Sequence, residues 1–168
     1  VTLNGIISIT HHNGVPYENF PAFFGNTILS SPLIGDLDND GDLDIITNEF
    51  HDGPMVLKSD LSEKKEINRL VIHLVGKGHN ASNRDGLGAV VTVKAGDKEY
   101  TKVNDGVSGY LSHSVIPLYF GLADASEVDS VLVKWPSGRN QKIDNIEIGK
   151  LPVLLENMRL SDRLFRIS

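Results

Sequence analysis

Residues 130–138 read Ser130-Val131-Leu132-Val133-Lys134-Trp135-Pro136-Ser137-Gly138. Side chains alternate across an extended chain, so Val131, Val133 and Trp135 share one face and Ser130, Leu132 and Lys134 the other. A Pro-Ser-Gly turn signal then ends the run. The same pattern of a short β-branched run followed by turn chemistry recurs along the chain. It predicts strands over 5–10, 27–33, 44–48, 55–58, 69–75, 89–95, 99–103, 117–120, 130–135, 141–143 and 153–156. Between them lie His12-Asn13-Gly14, Asp52-Gly53-Pro54, Gly76-Lys77-Gly78, Gly96-Asp97 and Asn104-Asp105-Gly106. Strand signals at this density argue for an all-β fold, a sandwich or a barrel. Helical periodicity is weak, and only 59–66 and 157–164 read as short helices.

The 168 residues suffice for one or two domains with a real core. The net charge is −6, and its excess is concentrated between Asp36 and Asp44. The one basic pair, Lys64-Lys65, is isolated, so nucleic acid is not the expected partner. The absence of cysteine excludes a disulfide framework, a thiolate zinc site and a cysteine nucleophile. No stretch reaches the roughly 18 apolar residues of a membrane span, and none reads as a signal peptide. The sequence starts at Val1 and opens in strand-like residues, so it is expected to be part of a longer protein.

Residues 36–44, Asp36-Leu37-Asp38-Asn39-Asp40-Gly41-Asp42-Leu43-Asp44, place carboxylates at loop positions 1, 3, 5, 7 and 9 and a glycine at position 6. Calcium takes six to eight oxygen ligands at roughly 2.3–2.6 Å, and a short turn with oxygens on alternate residues wraps such an ion. The expected ligands are the Asp36, Asp38, Asp40 and Asp44 side chains and the Asp42 carbonyl, with Gly41 reversing the backbone. Without a cation, five aspartates in nine residues repel one another. An EF-hand needs glutamate at position 12, where Thr47 stands, and a helix on each side. Here Pro32 and Gly35 break the left flank, and Leu43-Asp44-Ile45-Ile46-Thr47-Asn48 is strand-like. The loop is expected to join strands.

Residues 32–48 resemble the calcium-loop repeat of FG-GAP and VCBS proteins, which builds the blades of integrin-type β-propellers. The resemblance implies ligands at Asp36, Asp38, Asp40, Asp42 (backbone) and Asp44. The polar run Asp60-Leu61-Ser62-Glu63-Lys64-Lys65-Glu66 then divides the chain. Residues 1–60 read as one blade-like segment. A propeller closes with four blades or more, so this segment is expected to be a remnant or an appendage. The remainder, 61–168, resembles the ASPIC/UnbV domain of the cartilage acidic protein-like family. The likeness runs from 67 to 156 through Asn68–Gly76, Asn83–Val93, Gly109-Tyr110-Leu111-Ser112, Leu118-Tyr119-Phe120-Gly121-Leu122 and Val131–Gly138. It implies a secreted, extracellular or periplasmic module that binds or adheres, with no agreed catalytic residue. Ala123 stands where that family usually has a second glycine, so a different turn is expected there.

Other candidates carry bland explanations. Gly76-Lys77-Gly78-His79-Asn80-Ala81 fits a GxGxxA phosphate cradle, but a loop follows it where a helix is required. Asn83-Arg84-Asp85-Gly86 reads as a tight turn before a recognition loop. His73 lies within a strand, and His11-His12 point to opposite faces. Ser112-His113-Ser114 lacks a nucleophile elbow, and His113 points away from both serines. Trp135 reads as a core anchor rather than a sugar platform. Tyr17, Phe20, Phe23 and Phe24 are expected to pack the first segment onto the rest.

The expectation is therefore a secreted, calcium-binding module for adhesion or for binding an extracellular protein or glycan. The ion is structural, and the module is not an enzyme. The alternatives are a substrate-positioning domain of a hydrolase and a carbohydrate-binding module.

Overall fold

Short apolar runs between turn residues leave little choice but strands. The structure, a computed structural model, describes residues 6–10, 13–16, 18, 22–23, 31–48, 53–107, 113–149 and 153–156. The chain forms two compact units: Val1–Lys65 with Val107–Ser114, and Glu66–Gly106 with Val115–Ser168.

In the first unit, β1 (Ile6–Ile7) pairs antiparallel with β2 (Ala22–Phe23). A separate antiparallel meander runs through β3 (Leu33–Gly35), β4 (Asp44–Asn48) and β5 (Pro54–Leu57). One helical turn, α1 (Leu61–Lys64), follows. Among the described residues of this unit, Ile7 is the one fully buried hydrophobic side chain, whereas Asp42, Asp44 and Thr47 are all buried. Its described interior is therefore polar around the β3–β4 connection.

The second unit comprises β6 (Arg69–Val75), β7 (Val90–Ala95), β8 (Lys98–Val103), β9 (Leu118–Gly121), β10 (Val128–Lys134), β11 (Asn140–Ile146) and β12 (Val153–Leu155). They form an antiparallel sheet ordered β11-β10-β7-β8 and a three-stranded sheet ordered β12-β6-β9. In the latter, β9 runs antiparallel to β6 and β12 parallel to it. The alternation in β6 buries Leu70, Ile72 and Leu74. They share one core with Val91 and Val93 of β7, Val131 and Val133 of β10, Phe120 of β9, Ile143 of β11 and Leu154 of β12. Each such side chain contributes roughly 1.5–3 kcal/mol on burial. Side chains from both sheets meet in this core, and neither sheet closes on itself, so the unit is a sandwich and not a barrel.

The turns obey local chemistry. The β7–β8 hairpin has the two-residue loop Gly96-Asp97 with Gly96 at φ +59°, the geometry of a turn with glycine at its first central position. The β10–β11 hairpin closes through the Trp135 amide to the Arg139 carbonyl (2.8 Å) and has Gly138 at φ +85°.

Differences from expectation lie at element ends. The strand expected over 5–10 is reduced to β1 with an isolated bridge at Thr10, and β11 extends over 140–146 rather than 141–143. β2 was not expected at all; a two-residue strand carries no periodic signal. The helix expected over 59–66 shrinks to 61–64, with Lys65 extended. The strand start at 27–30 and the helix at 157–164 lie outside the described residues. So do Tyr17, Phe20, Phe24 and the surroundings of the Phe23 side chain.

Candidate metal-binding loop

The β3–β4 connection is the acidic loop. β3 and β4 pair from Leu33↔Ile46 to Gly35↔Asp44, so residues 36–43 close a hairpin whose ends are fixed by the sheet. Asn39 (φ +60°) and Gly41 (φ +107°) turn the backbone through left-handed conformations. Glycine adopts these freely and asparagine tolerates them better than most residues.

The turn brings together carboxylate oxygens of Asp36, Asp38 and Asp40 within 4.8 Å of one another. Ligands at roughly 2.3–2.6 Å from a shared calcium ion lie at most about 5 Å apart, so this spacing suits a common ion. The other two aspartates have different surroundings. Asp44 is buried, and its oxygens accept the Leu37 amide (3.0 Å) and the Ser59 amide (2.9 Å), clamping both ends of the meander. Asp42 is buried and accepts the Ser62 amide (2.7 Å). Its Oδ1 is buried with no hydrogen-bond partner. Burial works against the Asp42 charge, but the amide and hydroxyl donors of Ser62 and Ser59 prevail and hold its pKa below the usual value.

Asp40 accepts the Asp42 amide (3.1 Å) and the Ser62 hydroxyl (3.0 Å). Asp38 accepts a cation: the Lys58 ammonium lies 2.5 Å from its Oδ2. That bond lowers the Asp38 pKa, and Asp38 first, then Asp40 and Asp44, raise that of Lys58. Lys58 thus neutralises one of the converging carboxylates. The hard oxygen donors and their convergence would suit a cation such as Ca²⁺. When bound, such an ion would cross-link the loop and neutralise charge.

Lys58, Ser59 and Ser62 were missed in the sequence because they lie some twenty residues from the aspartates they serve. The β4–β5 register supplies the link: the last pair, Ile45↔Leu57, puts Lys58 opposite Asp44.

The second unit explains the glycine-rich loop. Glu156, buried at the end of β12, accepts the Lys77 amide (3.0 Å), the Ser82 amide (2.9 Å), the Ser82 hydroxyl (3.0 Å) and the Ser137 hydroxyl. Burial would raise its pKa, but these donors outweigh it and hold the carboxyl at about 2. The amides of a would-be phosphate cradle are therefore occupied: Lys77 donates to this carboxylate, and Gly76, Gly78 and Ala81 donate to backbone carbonyls. A Cβ on Gly76 would lie within 1.9 Å of the Asn83 carbonyl oxygen, which accounts for glycine there.

The remaining candidates are placed as follows. Asn83 bonds both the amide and the carbonyl of Leu87, and Asp85 gives its carbonyl to the Asn104 side chain (2.8 Å), as expected of a self-held turn. Trp135 is buried at 3 % exposure and donates to Gln141 Oε1 (2.8 Å), so it is a core anchor. His73 is half-buried in β6. It borders a cavity of about 50 Å³ with Asp85 and Asn104, room for a few waters and not for a sugar ring. His113 is exposed at an isolated bridge to Val107, while Ser112, His11, His12 and His51 lie outside the described residues. Ala123 adopts φ +53° in the β9–β10 turn, a conformation natural to glycine.

An open two-sheet sandwich with this strand order is the fold of the second unit. Residues 78–159 of it match the family described as ASPIC and UnbV. The match begins after β6 rather than at 67, where the resemblance was expected to start. No curated protein matches the chain. No helix among the described residues is long and apolar enough to cross a membrane.

Proposed function

We propose that the protein is a calcium-binding recognition module of secreted type, in which an FG-GAP/VCBS-like loop precedes an ASPIC/UnbV-type sandwich. The observation that carries this reading is the convergence of Asp36, Asp38 and Asp40 oxygens within 4.8 Å in a hairpin turn. The ion's role is structural: it fixes the β3–β4 loop against surroundings that, among the described residues, are polar. The partner is an extracellular protein or glycan, met by loops on a rigid scaffold, where binding residues are commonly carried. The acidic balance favours a neutral or cationic partner over nucleic acid. The burial of Trp135 argues against a sugar-stacking platform at that residue.

The test is calorimetric titration of chelator-treated protein with Ca²⁺. One site is expected, and Asp38→Ala with Asp40→Ala should abolish it. A double variant that binds like the wild type would sink the assignment.

A further inference from the structure

We propose that Lys58 is a tethered competitor for the cation of the Asp36–Asp44 loop: its ammonium holds Asp38 when metal is absent and must leave that oxygen to admit Ca²⁺. The inference rests on the calcium reading above and deepens it.

Three observations carry it. The Lys58 ammonium is 2.5 Å from Asp38 Oδ2, and Asp38 belongs to the group of three converging carboxylates. Lys58 is anchored there by strand register, opposite Asp44 and directly after β5, so the cation is supplied by the scaffold. Its side chain is nonetheless 62 % exposed, which leaves it free to swing into solvent. An ammonium and a divalent cation cannot both sit on one carboxylate oxygen, because they repel each other at a few ångströms. Calcium entry therefore costs the Lys58–Asp38 pair and retains some repulsion from the displaced amine. Conversely, the lysine limits repulsion among the aspartates in the metal-free chain. The device lowers Ca²⁺ affinity while keeping the empty loop folded.

The experiment compares wild type, Lys58→Gln and Lys58→Arg by calorimetric Ca²⁺ titration at low ionic strength. An exposed ion pair is weak, so Lys58→Gln should bind Ca²⁺ only roughly three- to tenfold more tightly, repulsion included. Lys58→Arg, which keeps the charge, should stay near the wild type. A second readout uses the wild type alone: an amine-reactive label mapped by peptide mass spectrometry. Ca²⁺ should increase labelling of Lys58 and leave Lys142, paired with Asp144 at 2.7 Å, unchanged. Equal affinities for wild type and Lys58→Gln, or unchanged Lys58 labelling at saturating Ca²⁺, overturn the competitor role and leave the calcium site standing. No Ca²⁺ binding by any of the three proteins overturns both.

Discussion

Ala123 shows how much one side chain can reveal. It holds φ +53°, and its carbonyl accepts the Asn68 side-chain amide (3.2 Å) in the turn that leads from β9 to β10. An L-residue with a Cβ is disfavoured in that conformation by roughly 1–2 kcal/mol. The turn in which alanine stands for the family's glycine has a glycine-like backbone, and Ala123 bears the strain. Ala123→Gly should therefore stabilise the protein. Glycine's greater freedom in the unfolded chain opposes the gain, leaving a net of about 0.5–1 kcal/mol. Urea unfolding checks this, and a variant no more stable than the parent would mean that the turn is unstrained. Asp44 makes a second point at this scale. Spacing alone marks it as a ligand, but only the folded sheet shows that it also receives the amides of Leu37 and Ser59.

Elements are tied together by buried polar links that the sequence does not announce. β12 has three residues and pairs parallel with β6, an arrangement too short to persist by itself. Glu156 fastens it by accepting donors from residues 77, 82 and 137. Removing the charge would leave buried donors poorly matched, at a cost of about 2 kcal/mol at neutral pH. The pH dependence follows from the pKa, which falls from an ordinary 4.5 to about 2 in the folded chain. A carboxyl depressed by folding stabilises fully above its unfolded value, and that stabilisation is lost as pH falls from about 4.5 toward 2. Denaturant melts should show Glu156→Gln clearly weaker than wild type at pH 7. The gap should narrow once the pH drops below the unfolded value. A gap that is constant with pH would remove the ionised carboxylate from the explanation. The acidic hairpin follows the same logic, since Asp44 and Asp42 bind the segment around α1 from across the β3–β4–β5 meander.

At the scale of the whole molecule, the two units differ in what holds them. The sandwich has a continuous apolar core, whereas the described part of the first unit buries mainly Asp42, Asp44 and Thr47. A ligand that binds only the folded chain adds roughly 2.7 kcal/mol at a hundredfold excess over its Kd. On the calcium reading, chelator should lower the melting temperature, and Ca²⁺ should restore it better than Mg²⁺, which demands tighter octahedral geometry. Calorimetric scans of the intact chain decide this. Superimposable curves with and without chelator would show that the acidic loop needs no ion.

What the sequence determined by itself is what depends on neighbours along the chain. Alternation in runs such as 69–75 and 130–135 specified strands and their buried faces, because the two-residue period is local. The all-β class and the role of Trp135 followed from that pattern, whereas sandwich over barrel was decided by the sheet order; the acidic loop was legible because its glycine and aspartates lie within nine consecutive residues. Tertiary structure alone decided that β12 joins β6 in parallel, that Glu156 takes the Lys77 and Ser82 amides, and that Lys58 reaches Asp38. Those pairs lie 20 to 80 residues apart. Contacts at such separations are set by sheet order and register, which no local period encodes.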